Sequence, residues 1–175
     1  ELPNNLDPKN PKIVSADVEL TNSEIALVNL LGSINVNTNT TRLLTQYQSE
    51  VTYVTESRYN FQDRQIPDAY SGILYRGVLE VLKDLTTTLN NTVVAGDVLV
   101  NEKKNKLAIG EILSLYSYHV LVDAFGNVPY TEALQGAANS RPKYDDAYTI
   151  YKDLLVRLNA AIANLDENYD GSFGP

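Results

Sequence analysis

The stretch LAIGEILSLYSYHVLVDAFGNVPYTEAL, residues 107–134, decides how this chain folds. It is apolar nearly all round as far as Phe125, and a helix of that kind is normally buried on most of its sides. The apolar run stops at Gly126, passes through a turn at Pro129 and then starts again, as expected for a corner between two packed helices. The stretch therefore predicts a long buried helix from about Asp97 to Phe125, followed by a tight corner.

Apolar residues that recur at the helical period predict three further long helices. The first lies within residues 21–37, with Thr21 or Asn22 as its N-cap. The second begins at Pro67, which suits a first-turn position, and the third covers residues 145–165. Their apolar stripes are Ile25, Val28 and Leu31, with Ala26, Leu27, Leu30 and Ile34 beside them; Tyr70, Leu74, Val78, Val81, Leu82, Leu85 and Leu89; and Tyr148, Tyr151, Leu154, Leu155, Leu158, Ile162 and Leu165.

With a shorter helix within residues 40–48, these elements predict an all-α fold. We expect helical hairpins in a right-handed, tetratricopeptide-like arrangement with long irregular loops. Residues 1–15 hold three of the seven prolines and are predicted to be an extended lead-in. Residues 16–175 would then be the helical part of a domain. They end in a loop-like tail without a closing element, so we expect the domain to continue beyond this sequence.

Composition excludes several classes of function. The net charge of −8 and the pI of about 4.6 argue against nucleic acid and against a polybasic membrane patch. Cysteine is absent, which rules out disulfides and thiolate metal sites. No apolar run is long enough to cross a bilayer, so any membrane link would lie outside this sequence. The sequence predicts no metal and no cofactor.

The segment SEVTYVTESRYNFQDRQ, residues 49–65, lacks a helical period and is predicted to be a long loop, with a short strand at Val51–Val54. Long loops in compact domains are often functional. Tyrosine rings stack on sugars, and Arg and Asn bond to hydroxyl groups. The alternative is that the rings hold the loop against the domain. The candidate ligand-binding residues are Tyr53, Arg58, Tyr59, Asn60 and Phe61, with Asp63 and Arg64 in reserve.

The titratable residues near the corner have simpler interpretations than catalysis. His119 is the only imidazole, lies in the most apolar helix and lacks the spacing of a zinc or triad site, so a structural role is predicted. Asp145 and Asp146 occupy positions typical of helix N-caps. Asp123 and Tyr130 are expected to bond across the corner, with Gly126 allowing the bend and Val128 and Pro129 fixing the turn.

The corner LVDAFGNVPYTEAL and the following RPKYDDAYTIYKDLLVRLNAAIANLD resemble the SusD/RagB family of lipoproteins, and most closely its SusD-like 2 subgroup. The lead-in NNLDPKNP is similar to the start of mature members. The resemblance makes Asp123, Gly126, Pro129 and Tyr130 a family-typical structural corner. Glu132 begins the next short segment.

The resemblance implies a non-catalytic protein that is lipid-anchored on the outer membrane of Bacteroidota. Such a protein captures oligosaccharides, or peptides, and delivers them to a SusC-type TonB-dependent transporter. Two alternatives stay open. A helical-repeat scaffold that binds a protein partner would show a concave apolar groove and bind no glycan. A glycan-cleaving enzyme would need two carboxylates that face each other across a cleft.

Overall fold

The computed structural model describes residues 14–35, 39–63 and 65–171, and in this part of the chain helices dominate. The all-α prediction is confirmed. The elements are α1 (Ala16–Gly32), α2 (Thr41–Leu44), a 3₁₀ turn (Glu56–Arg58), α3 (Ile66–Gly72), a π-helical stretch (Ile73–Leu79), α4 (Glu80–Asn91), α5 (Asp97–Phe125), β1 (Val128–Pro129), a second 3₁₀ turn (Gly136–Ala138), β2 (Tyr144–Asp145) and α6 (Ala147–Ala163). Of the predicted lead-in, all but Val14 and Ser15 lies outside the described residues.

The core lies where α1 packs against the π-helical stretch and α4, and where α5 packs between α4 and α6. Leucine supplies most of it, and Leu74, Leu85 and Leu121 have no exposed surface. The helix pairs α4–α5 and α5–α6 are the predicted hairpins. None of the helices in the described part of the chain is both long and apolar enough to cross a membrane.

Helix α1 differs from the prediction in its start and in its buried face. It begins at Ala16, after Ser15, and so the predicted N-cap at Thr21 or Asn22 is wrong. The buried positions alternate in steps of three and four residues: Ala16, Glu19, Leu20, Ser23, Leu27 and Leu30. Ile25 and Val28 lie on the other side and are 54% and 64% exposed. Ser23, Leu27 and Leu30 of the buried stripe lie within the predicted helix, and the additional first turn contributes Ala16, Glu19 and Leu20.

The helix that begins at Pro67 is confirmed, with proline in the first turn of α3. It continues without a break through the π-helical stretch into α4 and ends at Asn91. Its predicted stripe is also confirmed. Leu74, Val78, Leu82, Leu85 and Leu89 are buried, and Tyr70 and Val81 are half-buried.

The bounds predicted for α5 are confirmed, although Gly96 rather than Asp97 is the N-cap. Gly96 has a φ of 90°, a backbone conformation that favours glycine. Helix α6 is capped by Asp146, whose carboxylate accepts a hydrogen bond from the Thr149 N–H at 3.0 Å. The prediction of Asp145 as an alternative cap is wrong, because Asp145 lies in β2.

Candidate functional site

The predicted ligand loop is a loop in the structure, but the expected strand at Val51–Val54 is wrong. Those residues form bends and turns, followed by the 3₁₀ turn Glu56–Arg58. The side chain of Glu56 is fully buried beneath this turn. Sequence reasoning missed Glu56, because no pattern distinguishes a buried glutamate in a polar loop from an exposed one.

Three aromatic rings of the loop face solvent. Tyr53 is 80% exposed, and Tyr59 and Phe61 are also exposed. The Tyr59 hydroxyl donates a hydrogen bond to the Leu44 carbonyl oxygen at 3.0 Å, which ties the loop to the end of α2. Tyr59 therefore has an anchoring contact as well as an exposed ring, so each of the two interpretations of the loop has support at this residue.

The polar candidates of the loop are exposed as well. The Asn60 amide donates to the Asp63 carboxylate at 2.7 Å, and its carbonyl oxygen accepts from the backbone N–H of Gln62 at 3.2 Å. Arg58 is exposed. Arg64 lies outside the described residues.

The backbone of the loop holds two of these tyrosines in the left-handed region. Tyr53 has a φ of 61° and Tyr59 a φ of 59°. A residue with a Cβ in this region costs of the order of 1–3 kcal/mol and persists only where surrounding contacts fix it. Such strain is concentrated at functional sites, so it is a second feature that these two tyrosines share with binding loops.

The corner after α5 is a short two-stranded element. Gly126 adopts φ 73° and ψ −113°, a backbone conformation that a residue with a Cβ disfavours. Val128 pairs with Asp145 and Pro129 with Tyr144. The Tyr75 hydroxyl of the π-helical stretch donates to the Pro129 carbonyl oxygen at 2.6 Å, which fixes the corner to the core.

Asp145 holds the corner closed. Its carboxylate accepts hydrogen bonds from the backbone N–H of Thr131 at 2.7 Å and of Tyr130 at 3.1 Å, and from the Thr131 hydroxyl at 2.9 Å. Burial of the group acts to raise its pKa. The hydrogen bonds from Thr131 and Tyr130, together with the nearby Lys143 ammonium, outweigh that effect and lower the pKa of Asp145 below its ordinary value.

Asp123 and Tyr130 both form hydrogen bonds with side chains of α6. Tyr130 donates to the Asp153 carboxylate and accepts from Arg157 Nη1 at 2.6 Å. Asp123 accepts a hydrogen bond from the Tyr151 hydroxyl. These hydrogen bonds tie α5 and the corner to α6. The bonded residues lie too far apart in the chain for a sequence motif to identify them.

Arg157 is the centre of the polar contacts between α5 and α6. Its Nε and Nη2 both lie 2.7 Å from Glu111 Oε1, while the ion pair with Asp153, four residues earlier in α6, is longer, at 3.9 Å. Burial acts to lower the pKa of Arg157. Its bonds to Glu111 and Tyr130 outweigh that effect and raise the pKa, so the guanidinium stays charged.

Glu132 holds the segment between the strands. Its Oε2 accepts from the Asn139 amide and from the Lys143 backbone N–H, both at 3.1 Å. Those two hydrogen bonds lower the pKa of Glu132, and the one from the Lys143 backbone has the larger effect. The side chain thus closes the 132–143 loop in the same way that Asp145 closes the corner.

His119 is more exposed than its place in an apolar helix predicts, with 48% of the side chain accessible. Its Nε2 lies 3.5 Å from Asp123 Oδ2, and its ring packs edge-on against Tyr151 at 5.7 Å. His119 borders an apolar groove between α5 and α6, lined by Ile112, Leu115, Tyr116, Tyr151, Leu154, Leu155 and Leu158. The prediction that α5 is buried on most sides is therefore wrong along this edge.

Within residues 14–35, 39–63 and 65–171, no three His, Asp or Glu side chains converge where a metal ion could be held. The polar groups at the corner are matched to protein partners, which makes the corner an architectural device. The loop at 53–61 instead presents rings to solvent. In its described residues the chain is an all-α protein built of helical hairpins, with an exposed aromatic loop and a latched corner.

Comparison with protein families agrees with this fold. The family model SusD-like_2, described as starch-binding associating with outer membrane, matches residues 8–174. The chain belongs to this family. A search of the curated proteins finds no match.

Proposed function

We propose that this protein is a non-catalytic, cell-surface lipoprotein that captures oligosaccharides and delivers them to a SusC-type TonB-dependent transporter of the outer membrane. The observation that carries the proposal is the family match, which spans residues 8–174 and has a description that names starch and the outer membrane. The acidic chain, with its net charge of −8, suits a neutral glycan better than a polyanion.

In this proposal the exposed loop binds the glycan. Tyr53, Tyr59 and Phe61 would stack on sugar rings, and Arg58 and Asn60 would bond to hydroxyl groups. The supporting features are the exposure of the three rings and the left-handed backbone at Tyr53 and Tyr59. Asp63 already holds the Asn60 amide and would orient it.

Calorimetry with malto-oligosaccharides, other oligosaccharides and peptides tests the proposal. Tyr53→Ala and Phe61→Ala should each weaken glycan binding about tenfold, because loss of one stacked ring costs roughly 1–1.5 kcal/mol. Their melting temperatures should not change, since the rings are exposed. Tyr148→Ala is the matched control, because Tyr148 is an exposed tyrosine on α6. Equal binding by all variants would remove the loop from the site.

The same mixtures, assayed for cleaved glycan, test the non-catalytic role, and turnover would refute it. Co-purification of the full-length protein with a TonB-dependent transporter, from outer membranes, tests delivery. If the full-length protein partitions into the aqueous phase after detergent extraction, the lipid anchor is refuted.

A second candidate function is a scaffold for a protein partner. The apolar groove beside Tyr116, His119 and Leu155 favours it, because grooves of this kind accept amphipathic helices. Failure of every glycan to bind, together with loss of a co-purifying protein in a Leu155→Glu variant, would favour the scaffold.

A further inference from the structure

A second cavity, of about 390 Å³, lies where α4, α5, α6 and the corner meet. This volume is at the lower end of the roughly 300–1,000 Å³ that small-molecule sites occupy. None of the described residues of the 49–63 loop lines it. Its walls come from three helices and a latched corner, all of which are held by the core contacts described above. The cavity is therefore a preformed space that is separate from the proposed glycan loop.

Three hydroxyl groups on the α4 and α5 walls of the cavity already donate their hydrogens within the protein. Thr86 and Thr87 of α4 donate their hydroxyl hydrogens to the backbone carbonyls of Leu82 and Lys83, at 2.9 and 3.0 Å. Ser114 of α5 donates in the same way to Gly110 at 3.0 Å. A hydroxyl has one hydrogen and two lone pairs, so each of these oxygens keeps acceptor capacity for a ligand.

The charged groups of the cavity make an anion or a cation a poor ligand. Arg157 donates to Glu111 and Tyr130, so its guanidinium is largely occupied. Glu111 Oε1 accepts both of the short Arg157 contacts, and Oε2 accepts no hydrogen bond from the described residues. The Glu111 carboxylate would repel an anion. Lys83, which lines the opposite wall, would repel a cation.

Lys83 supplies hydrogen-bond donors to the cavity. One ammonium hydrogen goes to the Leu134 carbonyl oxygen, and an ammonium has three. A ligand must therefore bring several donors, for the three hydroxyls and Glu111, and at least one acceptor, for Lys83. A neutral polyhydroxylated molecule meets both conditions, because each of its hydroxyl groups is a donor and an acceptor.

The remaining walls suit the C–H faces of such a molecule. Leu79, Leu82 and Leu134 line the cavity with apolar surface, and the rings of Tyr118 and Tyr130 meet edge to face at 4.8 Å. We propose that this cavity is a second binding site, which takes a single sugar unit, either a monosaccharide or one residue of a longer chain.

Amide NMR of the chain, titrated with glucose, galactose, mannose, xylose and N-acetylglucosamine, tests the proposal. At least one sugar should shift the amide signals of residues 83–87 and 111–118. The shifts should saturate by about 10 mM sugar, which is ten times a Kd of about 1 mM. Inorganic phosphate and acetate should not. Absence of shifts there with all five sugars, or larger shifts with the anions, would overturn the proposal.

Two variants separate the cavity from the loop. Thr87→Val removes one acceptor and should weaken the binding of the monosaccharide by about three- to tenfold. Thr21→Val is the matched control, since Thr21 makes the same helical bond, to Asp17 at 2.9 Å, and lies in α1 away from the cavity. Equal weakening in both would refute the site.

Tyr53→Ala should leave the shifts at residues 83–87 and 111–118 intact. Loss of oligosaccharide binding at the loop with these shifts retained would leave the cavity site standing. If the wild-type protein binds oligosaccharide at the loop but shows no shifts at the cavity, the cavity site is refuted and the proposed capture function stands. Loss of the cavity shifts in Tyr53→Ala would mean that the two sites are one, and would overturn the proposal.

Discussion

Replacing Asp145 with asparagine tests whether its carboxylate is the latch of the corner. The side chain is 13% exposed and accepts three hydrogen bonds, from the Tyr130 and Thr131 backbone N–H groups and the Thr131 hydroxyl. Hydrogen bonds to a charged acceptor contribute about 1 kcal/mol more than neutral ones. All three bonds end on Oδ2, so asparagine can keep them with its carbonyl oxygen but loses the negative charge that strengthens each of them. Its NH₂ group takes the place of Oδ1, beside the Thr131 hydroxyl.

We therefore expect Asp145→Asn to lower the free energy of unfolding by about 2–3 kcal/mol, after discounting for water that can reach the exposed Thr131. For a chain of this length, that is a fall in Tm of roughly 5–10 °C. The Lys143 ion pair adds little, since its ammonium is largely exposed. Urea unfolding at pH 7 measures the difference directly.

The pH dependence gives an independent check. The folded state lowers the pKa of Asp145 from its ordinary value of 3.8, so the stabilisation is complete above that value. It is lost as the pH falls through the lower pKa of the folded state. The gap between wild type and variant should therefore be constant from pH 7 to pH 5 and should shrink below pH 3.8.

Asp146→Asn is the control, because asparagine caps helices about as well as aspartate and the expected change is a few tenths of a kcal/mol. A gap of less than 1 kcal/mol for Asp145→Asn at pH 7, or a gap that stays the same at pH 3, would refute the latch.

Three further expectations follow from backbone and core geometry. Gly126→Val should cost about 1–3 kcal/mol from strain at its positive φ; Gly32→Ala, in α1, is the control, and an unchanged Tm for Gly126→Val would contradict the strain. Leu85→Ala should cost about 2–5 kcal/mol in urea unfolding, because Leu85 has no exposed surface, and a smaller loss would mean that the core collapses around it. Burial raises the pKa of Tyr118 to about 12. Burial raises the pKa of Tyr75 and of Tyr130 further still. At least three tyrosines should thus ionise, by ultraviolet absorbance, well above the ordinary range, and stability should fall as the pH rises from 10 to 12; uniform titration near pH 10 would exclude this.

The sequence is sufficient to predict the elements whose signal is local. The bounds of α5 follow from the apolar run that begins at Leu107 and from the glycines that flank the helix, Gly96 and Gly126. The helix beginning at Pro67 follows from a single stripe of leucine and valine. In both cases the alternatives to the predicted structure would expose a continuous apolar surface, so no information from distant residues is needed.

The choice of buried face is not local. Helix α6 carries two apolar stripes, and the one with Ile150, Leu154 and Ala161 is buried, whereas Tyr148 and Leu155 of the other are exposed. Both have helical spacing, and only the partner helix decides between them. The same ambiguity led to the wrong face of α1.

The candidate site was predictable as a loop but not as a surface. Lack of period in residues 49–63 indicates a loop, while the left-handed tyrosines and the Tyr59 contact with Leu44 depend on α2. The functions of Asp145 and Asp146 could not be separated either, since adjacent aspartates give the same signal. The strand pairing with Val128 decides which of them caps α6.

The π-helical stretch Ile73–Leu79 sets the rotational phase between the two halves of one long helix. A turn with i→i+5 bonds holds about one residue more than an α-helical turn, and one residue corresponds to about 100° of rotation. Deleting Gly77 would remove the extra residue, so the stretch would close into an α-helix while Leu82 and Leu85 kept facing the core. The same deletion within α4 would rotate every later residue by about 100°. The π-helical stretch should therefore tolerate a single deletion, measured by Tm, far better than the α-helical segment that follows it.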